Sequence, residues 1–156
     1  QAAFDELVVS VKRLASVAER HGVFVGIEGV AHHHTINTYE RMTALLDAVD
    51  SPNVKVIYDP VNFFPLTECD EQQRLMDDAF DAFGDRIVAI HCKDFVKEDG
   101  QKAGDLPSGT GEMDHVHLFS LLKQKKPHVH VILESTNQQN VGQILHFIAE
   151  AETQTD

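Results

Sequence analysis

Glu28, Asp59, His91 and Glu134 each end a short apolar run, and all four belong to the residue types that hold metal ions or move protons. Three carboxylates and one imidazole, with no thiolate among them, make a hard, oxygen-rich donor set. Such a set suits one divalent ion (Mn²⁺, Mg²⁺, Co²⁺ or Zn²⁺) and disfavours Cu(I) or an iron–sulfur cluster. Three carboxylates facing one another in a partly buried site repel, and a divalent cation resolves that repulsion. The plainer alternative is that these residues only end strands at the wet rim of a sheet, with Glu28 or Glu134 paired to nearby lysines. The choice depends on whether the elements that carry them converge.

The runs are Val23–Glu28, Val54–Asp59, Ile87–His91 and Val129–Glu134. Each is too short for a helix and rich in strand formers, which predicts buried strands. Helical periodicity fills the intervals. Phe4, Leu7, Val8, Val11, Leu14, Ala15 and Ala18 predict an opening helix stopped by Gly22. Asn37 as N-cap with Glu40 three residues on predicts a helix over Met42 to Val49, and Asp70 with Gln73 predicts one running to Gly84. Val116, Phe119 and Leu122 form a further stripe closed by Pro127, and Val141, Ile144, Leu145 and Ile148 form the last. From Asp94 to Glu112 the chain is polar and glycine-rich, the composition of a long loop, and beside a site such a loop is a lid candidate.

A helix followed by four strand–helix units implies an α/β fold with a parallel sheet and right-handed crossovers, either an open doubly wound sheet or part of a (β/α)₈ barrel. In a flat sheet with strands about 4.8 Å apart, the first and fourth strand ends would lie roughly 14 Å from each other. That is too far for four ligands that must each come within about 2.2 Å of one ion. Barrel curvature brings the ends inward. The expected architecture is therefore a segment of a TIM barrel, about half of it, with four parallel strands and flanking helices in a single partial domain over residues 1–156. A closed barrel needs eight strands and roughly 250 residues, so the N-terminal strands one to four are expected to be missing, with two copies completing one barrel, or the four units closing on themselves less regularly, as the alternatives. Exposed strand edges are expected to drive self-association.

The strings GIEG around Glu28, YDPVN at Asp59 to Asn62, HCKD at His91 to Asp94, GTGEMD at Gly109 to Asp114 and LES around Glu134 resemble the carboxy-terminal half of the xylose isomerase-like TIM-barrel superfamily, specifically its sugar-phosphate isomerase/epimerase group. The resemblance runs in order along nearly the whole chain. It implies that Glu28, Asp59, His91 and Glu134 hold one divalent metal at the ends of the fifth to eighth strands. It also implies that Glu28 and Glu134 act as the catalytic acid/base pair of an aldose–ketose isomerase or ketose epimerase, moving a proton beside a carbonyl through a metal-stabilised enediolate. The substrate would be a small-molecule sugar or sugar phosphate. A related dehydratase or keto-acid isomerase uses the same proton abstraction, and a metal- or sugar-binding half-barrel without activity is the non-enzymatic alternative.

Three neighbours are candidates for substrate binding. Asn62 stands where many epimerases of the family place a histidine and is read either as a donor to substrate or as a turn residue after Pro60. Lys93 shares strand parity with His91 and is placed to meet an anionic group, and Asp94 to orient a ligand or a lid. Gly109-Thr110-Gly111 reads as a flexible turn, with a backbone nest for a phosphate or hydroxyl as the alternative. His32-His33-His34 follows the first strand, where one of the three is a candidate to touch substrate. His115, His117, His128 and His130 read as structural or solvent-facing.

Composition narrows the partners. With 13 Lys+Arg against 25 Asp+Glu the net charge is −12, which argues against a nucleic-acid or anionic-membrane partner held by a basic surface. It also argues against the related DNA-repair endonuclease IV family, which uses several zinc ions and a histidine where Asn62 stands. No run reaches the roughly 18 apolar residues that span a bilayer, and the amino end lacks signal-peptide regions, so the protein is read as cytoplasmic. Cys69 and Cys92 lack CxxC spacing and read as ordinary thiols.

Overall fold

The computed structural model describes residues 1–155. The valine- and isoleucine-rich runs form β1 (Val25–Glu28), β2 (Val54–Tyr58) and β3 (Ile87–Cys92); a hairpin of β4 (Asp94–Glu98) and β5 (Gln101–Leu106) follows, and then β6 (His130–Leu133). β1, β2, β3 and β6 lie side by side in that order, all parallel. The helices α1 (Ala2–His21), α2 (Tyr39–Val49), α3 (Pro60–Phe63), α4 (Gln72–Phe83), α5 (His115–Lys125) and α6 (Val141–Thr153) occupy the intervals. Parallel (β/α) units of this kind are half of a barrel wall, as the spacing predicted.

Strand alternation sorts the side chains. Val54, Val56 and Tyr58 of β2 are fully buried, and with Ile90 and Cys92 of β3 they build the core together with α2 and α4 residues such as Met42, Leu45, Met76 and Phe83. The opposite face carries Glu28, Ile57, Ala89 and His130 in register, with His91 and Ile132 as the next pair towards the carboxyl ends and Ile132 46% exposed. Glu28 and His91 lie on that second face at the carboxyl ends of their strands, and Glu134 directly follows β6. The alternation therefore delivers the polar residues to one end of one face.

Local structure departs from expectation at several points. β1 starts at Val25, leaving Val23 and Phe24 more than half exposed. The α2 N-cap is Thr38, one residue beyond Asn37; its backbone is extended, as a cap needs, and its hydroxyl accepts from Arg41 N at 3.2 Å. α4 begins at Gln72 without a side-chain cap, and Asp70 instead meets Lys97 Nζ at 2.6 Å. The largest difference is the stretch read as a long loop. Its first half is the β4–β5 hairpin, turned at Asp99-Gly100, both at positive φ. Lys102 of β5 fastens the hairpin to the rim: its N–H donates to Leu66 O at 2.8 Å, and its Nζ to Phe64 O at 2.8 Å and to Val61 O.

Candidate active site

Asp59 is the geometric centre. It ends β2, and Pro60 at the first position of α3 turns the chain so that the Asp59 side chain caps that helix: Oδ1 accepts from Asn62 N at 2.9 Å. The residue has no solvent exposure, and Oδ2 has no hydrogen bond. His91 Nδ1 is likewise buried without a hydrogen-bond partner. Around that nitrogen stand Glu134 Oε1 at 3.0 Å, Glu28 Oε1 at 3.4 Å and Asp59 Oδ2 at 4.0 Å. One donor atom each from Glu28, Asp59 and His91 lies within 4.8 Å of the others, a group able to hold a metal ion. Glu134 is outside that triplet and touches it through His91 and through Lys93 Nζ, 3.1 Å from its Oε2.

Buried polar atoms are costly unless partnered, and Asp59 Oδ2 and His91 Nδ1 face one another with charged neighbours in place of hydrogen bonds and a third carboxylate alongside. Their chemistry, two carboxylate oxygens and an imidazole nitrogen, is that of a divalent-cation site, so the residues fit the ion that their types suggested. Burial pushes the Asp59 carboxyl up to about 6, only partly countered by the Asn62 N–H and the Lys93 ammonium. Asn62 orients the neighbouring ligand candidate: its Nδ2 donates to Glu28 Oε1 at 2.7 Å. Glu28 and Glu134 side chains are 30% and 33% exposed, so both carboxylates border the buried pair and also reach the open side.

Lys93 is inside this group, as its parity with His91 implied. It is 5% exposed, and its Nζ lies 3.0 Å from Asp59 Oδ2 and 3.0 Å from Asp105 Oδ1 of the hairpin. Burial works against its charge, but Asp59, Asp105 and Glu134 outweigh that and hold its pKa above the usual lysine range.

Asp94 does something other than meet substrate. It is 1% exposed, and its carboxylate is saturated by the chain itself: Oδ1 accepts from Phe95 N (2.9 Å) and Met113 N (2.8 Å), Oδ2 from Gly109 N (3.0 Å) and Gly111 N (2.9 Å). The glycine nest weighed as a phosphate or hydroxyl cradle thus closes on an internal anion. Gly111 is required there, since a Cβ would strike the Phe95 carbonyl oxygen and the Asp94 carboxylate.

The triple histidine caps the rim beside the site. Its three side chains are exposed, His32 and His33 have φ of 61° and 54°, and His32 Nε2 accepts from Leu66 N at 3.1 Å. His115 is buried, with Nδ1 3.0 Å from Met113 O, and His117 Nε2 lies 2.9 Å from Asp77 Oδ1. Sequence reasoning missed Asp105 and Lys102. Both lie in the stretch read as loop, and the one signal available was the alternating Lys102-Ala103-Gly104-Asp105-Leu106 after the Asp99-Gly100 turn pair.

A family model described as the xylose isomerase-like TIM barrel matches residues 1–154. Among solved structures, a xylose isomerase domain protein from Planctomyces limnophilus aligns with a TM-score of 0.75 at 17% identity, covering 97% of this chain and 52% of that one. A D-tagatose 3-epimerase-like protein aligns at 0.77 and 17% identity, over 95% of this chain and 54% of that one. A xylose isomerase-like TIM barrel protein from Mycobacterium smegmatis in complex with magnesium aligns at 0.68 and 17% identity, over 97% and 52%. The chain spans about half the length of these structures, and identities this low establish the fold alone. No curated protein sequence matches. Among the described residues no helix is long and apolar enough to cross a membrane.

Proposed function

The chain belongs to the xylose isomerase-like TIM-barrel family, and from that premise we propose that it carries the divalent-metal site of an isomerase or epimerase that moves a proton beside the carbonyl of a sugar or sugar phosphate. The observation that carries this reading is the convergence of the buried Asp59 Oδ2, His91 Nδ1 and the Glu28 carboxylate, one donor atom from each lying within 4.8 Å of the others. These residues, with Glu134 as the fourth, would hold the ion. A divalent cation bound there supplies Lewis-acid polarisation of a substrate carbonyl.

The remaining work belongs to side chains. Glu28 and Glu134 are the acid/base pair: both carboxylates border the buried group and are about one-third exposed, which leaves them within reach of a substrate C–H. Asn62 fixes the orientation of Glu28 by its hydrogen bond to Oε1, which leaves the other oxygen for the proton. Lys93 places a positive charge between Asp59 and Glu134. The M. smegmatis complex with magnesium and the resemblance to a D-tagatose 3-epimerase-like protein support the same reading.

The test is proton exchange. The full chain is loaded with Mn²⁺, passed through gel filtration and assayed for metal and for deuterium incorporation beside the carbonyl of ketoses in D₂O, alongside Asp59→Asn. About one equivalent of metal with deuterium incorporation, both lost in the variant, is the expected result. Bound metal with no exchange from any ketose or ketose phosphate would reduce the site to a binding module. Equal metal in the native chain and in Asp59→Asn would remove the site from these residues altogether.

A further inference from the structure

Lys93 stands where two demands meet. Its ammonium is shared by three carboxylates, at 3.0 Å from Asp59 Oδ2, 3.1 Å from Glu134 Oε2 and 3.0 Å from Asp105 Oδ1. Asp59 and Glu134 belong to the set assigned to the cation. Asp105 does not: it sits on β5, is 69% exposed, and has Lys93 as its only ion-pair partner among the described residues. A divalent cation and an ammonium cannot both lean closely on Asp59 Oδ2, because two positive centres a few ångströms apart in a water-poor site repel. One must give way.

We propose that Lys93 and a divalent cation exchange on Asp59 and Glu134, and that Asp105 of the hairpin is the positioning residue that receives the displaced ammonium. The inference rests on the divalent-cation reading of the site. A lysine suits the part, since its flexible four-carbon stem carries a compact charge that shifts between acceptors without losing its proton. An ammonium pushed off Asp59 with nowhere to go would be a buried unpaired charge, a severe penalty that would oppose cation entry. Asp105 removes that penalty at a fixed place, because Lys102 ties β5 to the rim through Leu66 O, Phe64 O and Val61 O. The hairpin thereby becomes part of the cation site without contributing a ligand.

The test is calorimetric titration of the full chain with MnCl₂ alone, comparing the native protein with Asp105→Asn, Asp105→Glu, Lys93→Gln and the Lys93→Gln/Asp105→Asn double variant. Asp105→Asn is expected to weaken Mn²⁺ binding by about three- to tenfold, the range of a charge-assisted pair with one partner buried and the other exposed, and Asp105→Glu to restore it to within about twofold. Lys93→Gln is expected to bind more tightly than native, with no further effect from adding Asp105→Asn. Since Asp105 is exposed, its variants keep the fold even if Lys93→Gln does not. Native affinity in Asp105→Asn overturns the exchange. So does the same loss with and without Lys93, which would make Asp105 a distant charge acting directly on the cation. If the native chain and every variant leave Mn²⁺ unbound, the proposed function falls and the exchange falls with it; binding by the native chain with an unaffected Asp105→Asn removes the exchange alone.

Discussion

Asp59 and Asp94 are both buried aspartates just past the end of a parallel strand, 0% and 1% exposed, yet their carboxylates are spent in opposite ways. Asp94 accepts four backbone N–H bonds, two on each oxygen, and has nothing left to offer. Asp59 accepts one, from Asn62 N on Oδ1, and keeps Oδ2 for charges: Lys93 at 3.0 Å and the His91 nitrogen at 4.0 Å. Burial alone therefore does not mark a functional carboxylate. What marks it is an oxygen that the fold has enclosed and left to charged side chains rather than to backbone donors, so that a cation can take their place.

The contrast predicts opposite responses to the same substitution. Asp94→Asn is expected to have the largest effect, a loss of about 3 to 5 kcal/mol in urea unfolding, because it turns an amide toward backbone donors and leaves several of them unpaired. Should its metal affinity match the native value once folded, the division of labour is sharpened; a small stability loss would break it.

Asp59→Asn is expected to do the reverse. In chelating buffer the folded carboxyl titrates at about 6 against an ordinary 3.8, so protonation favours the fold. The native penalty is complete above about pH 6 and fades as the pH falls toward 3.8. The variant, which has no proton to lose, should be more stable than native by about 2 to 3 kcal/mol at pH 7.5, with the gap closing near pH 4. Chemical denaturation across that pH range measures it, and a variant less stable at neutral pH would contradict it. The smallest effect is expected from Asn62→Ala. It removes the donor to Glu28 at the rim, with about 1 kcal/mol lost in stability and Mn²⁺ affinity reduced by about tenfold, read by the same titration.

The legible part of the molecule is the part governed by periodicity. Short apolar runs ending in Glu28, Asp59, His91 and Glu134 predicted parallel strands whose ends converge, and β1, β2, β3 and β6 lie in that order. Lys93 was placed with His91 by the period of two. The rest depended on tertiary partners. A hairpin with Lys97, Glu98, Lys102 and Asp105 on its strands has too little apolar content to read as sheet, and its strands exist because Lys102 and Asp94 tie them to other elements. Asp94 looked like a site residue because it follows HCK; nothing in its neighbours reveals that Gly109, Gly111 and Met113 return to it. Asn37 and Asp70 were favourable caps by type, but the backbone selected Thr38 and Glu71.

The Asp94 clasp has a meaning in the statistics of the chain. Its bond to Met113 joins residues 19 apart, and pinning the ends of a segment that long forfeits roughly 2 to 3 kcal/mol of conformational entropy, comparable to what a covalent cross-link withdraws from an open chain. Here a carboxylate and backbone amides meet that cost, with both cysteines left as free thiols. The hairpin, Asp105 with it, is thus held at the mouth of the site by a staple of hydrogen bonds, which forms with the fold and needs no oxidant to set it.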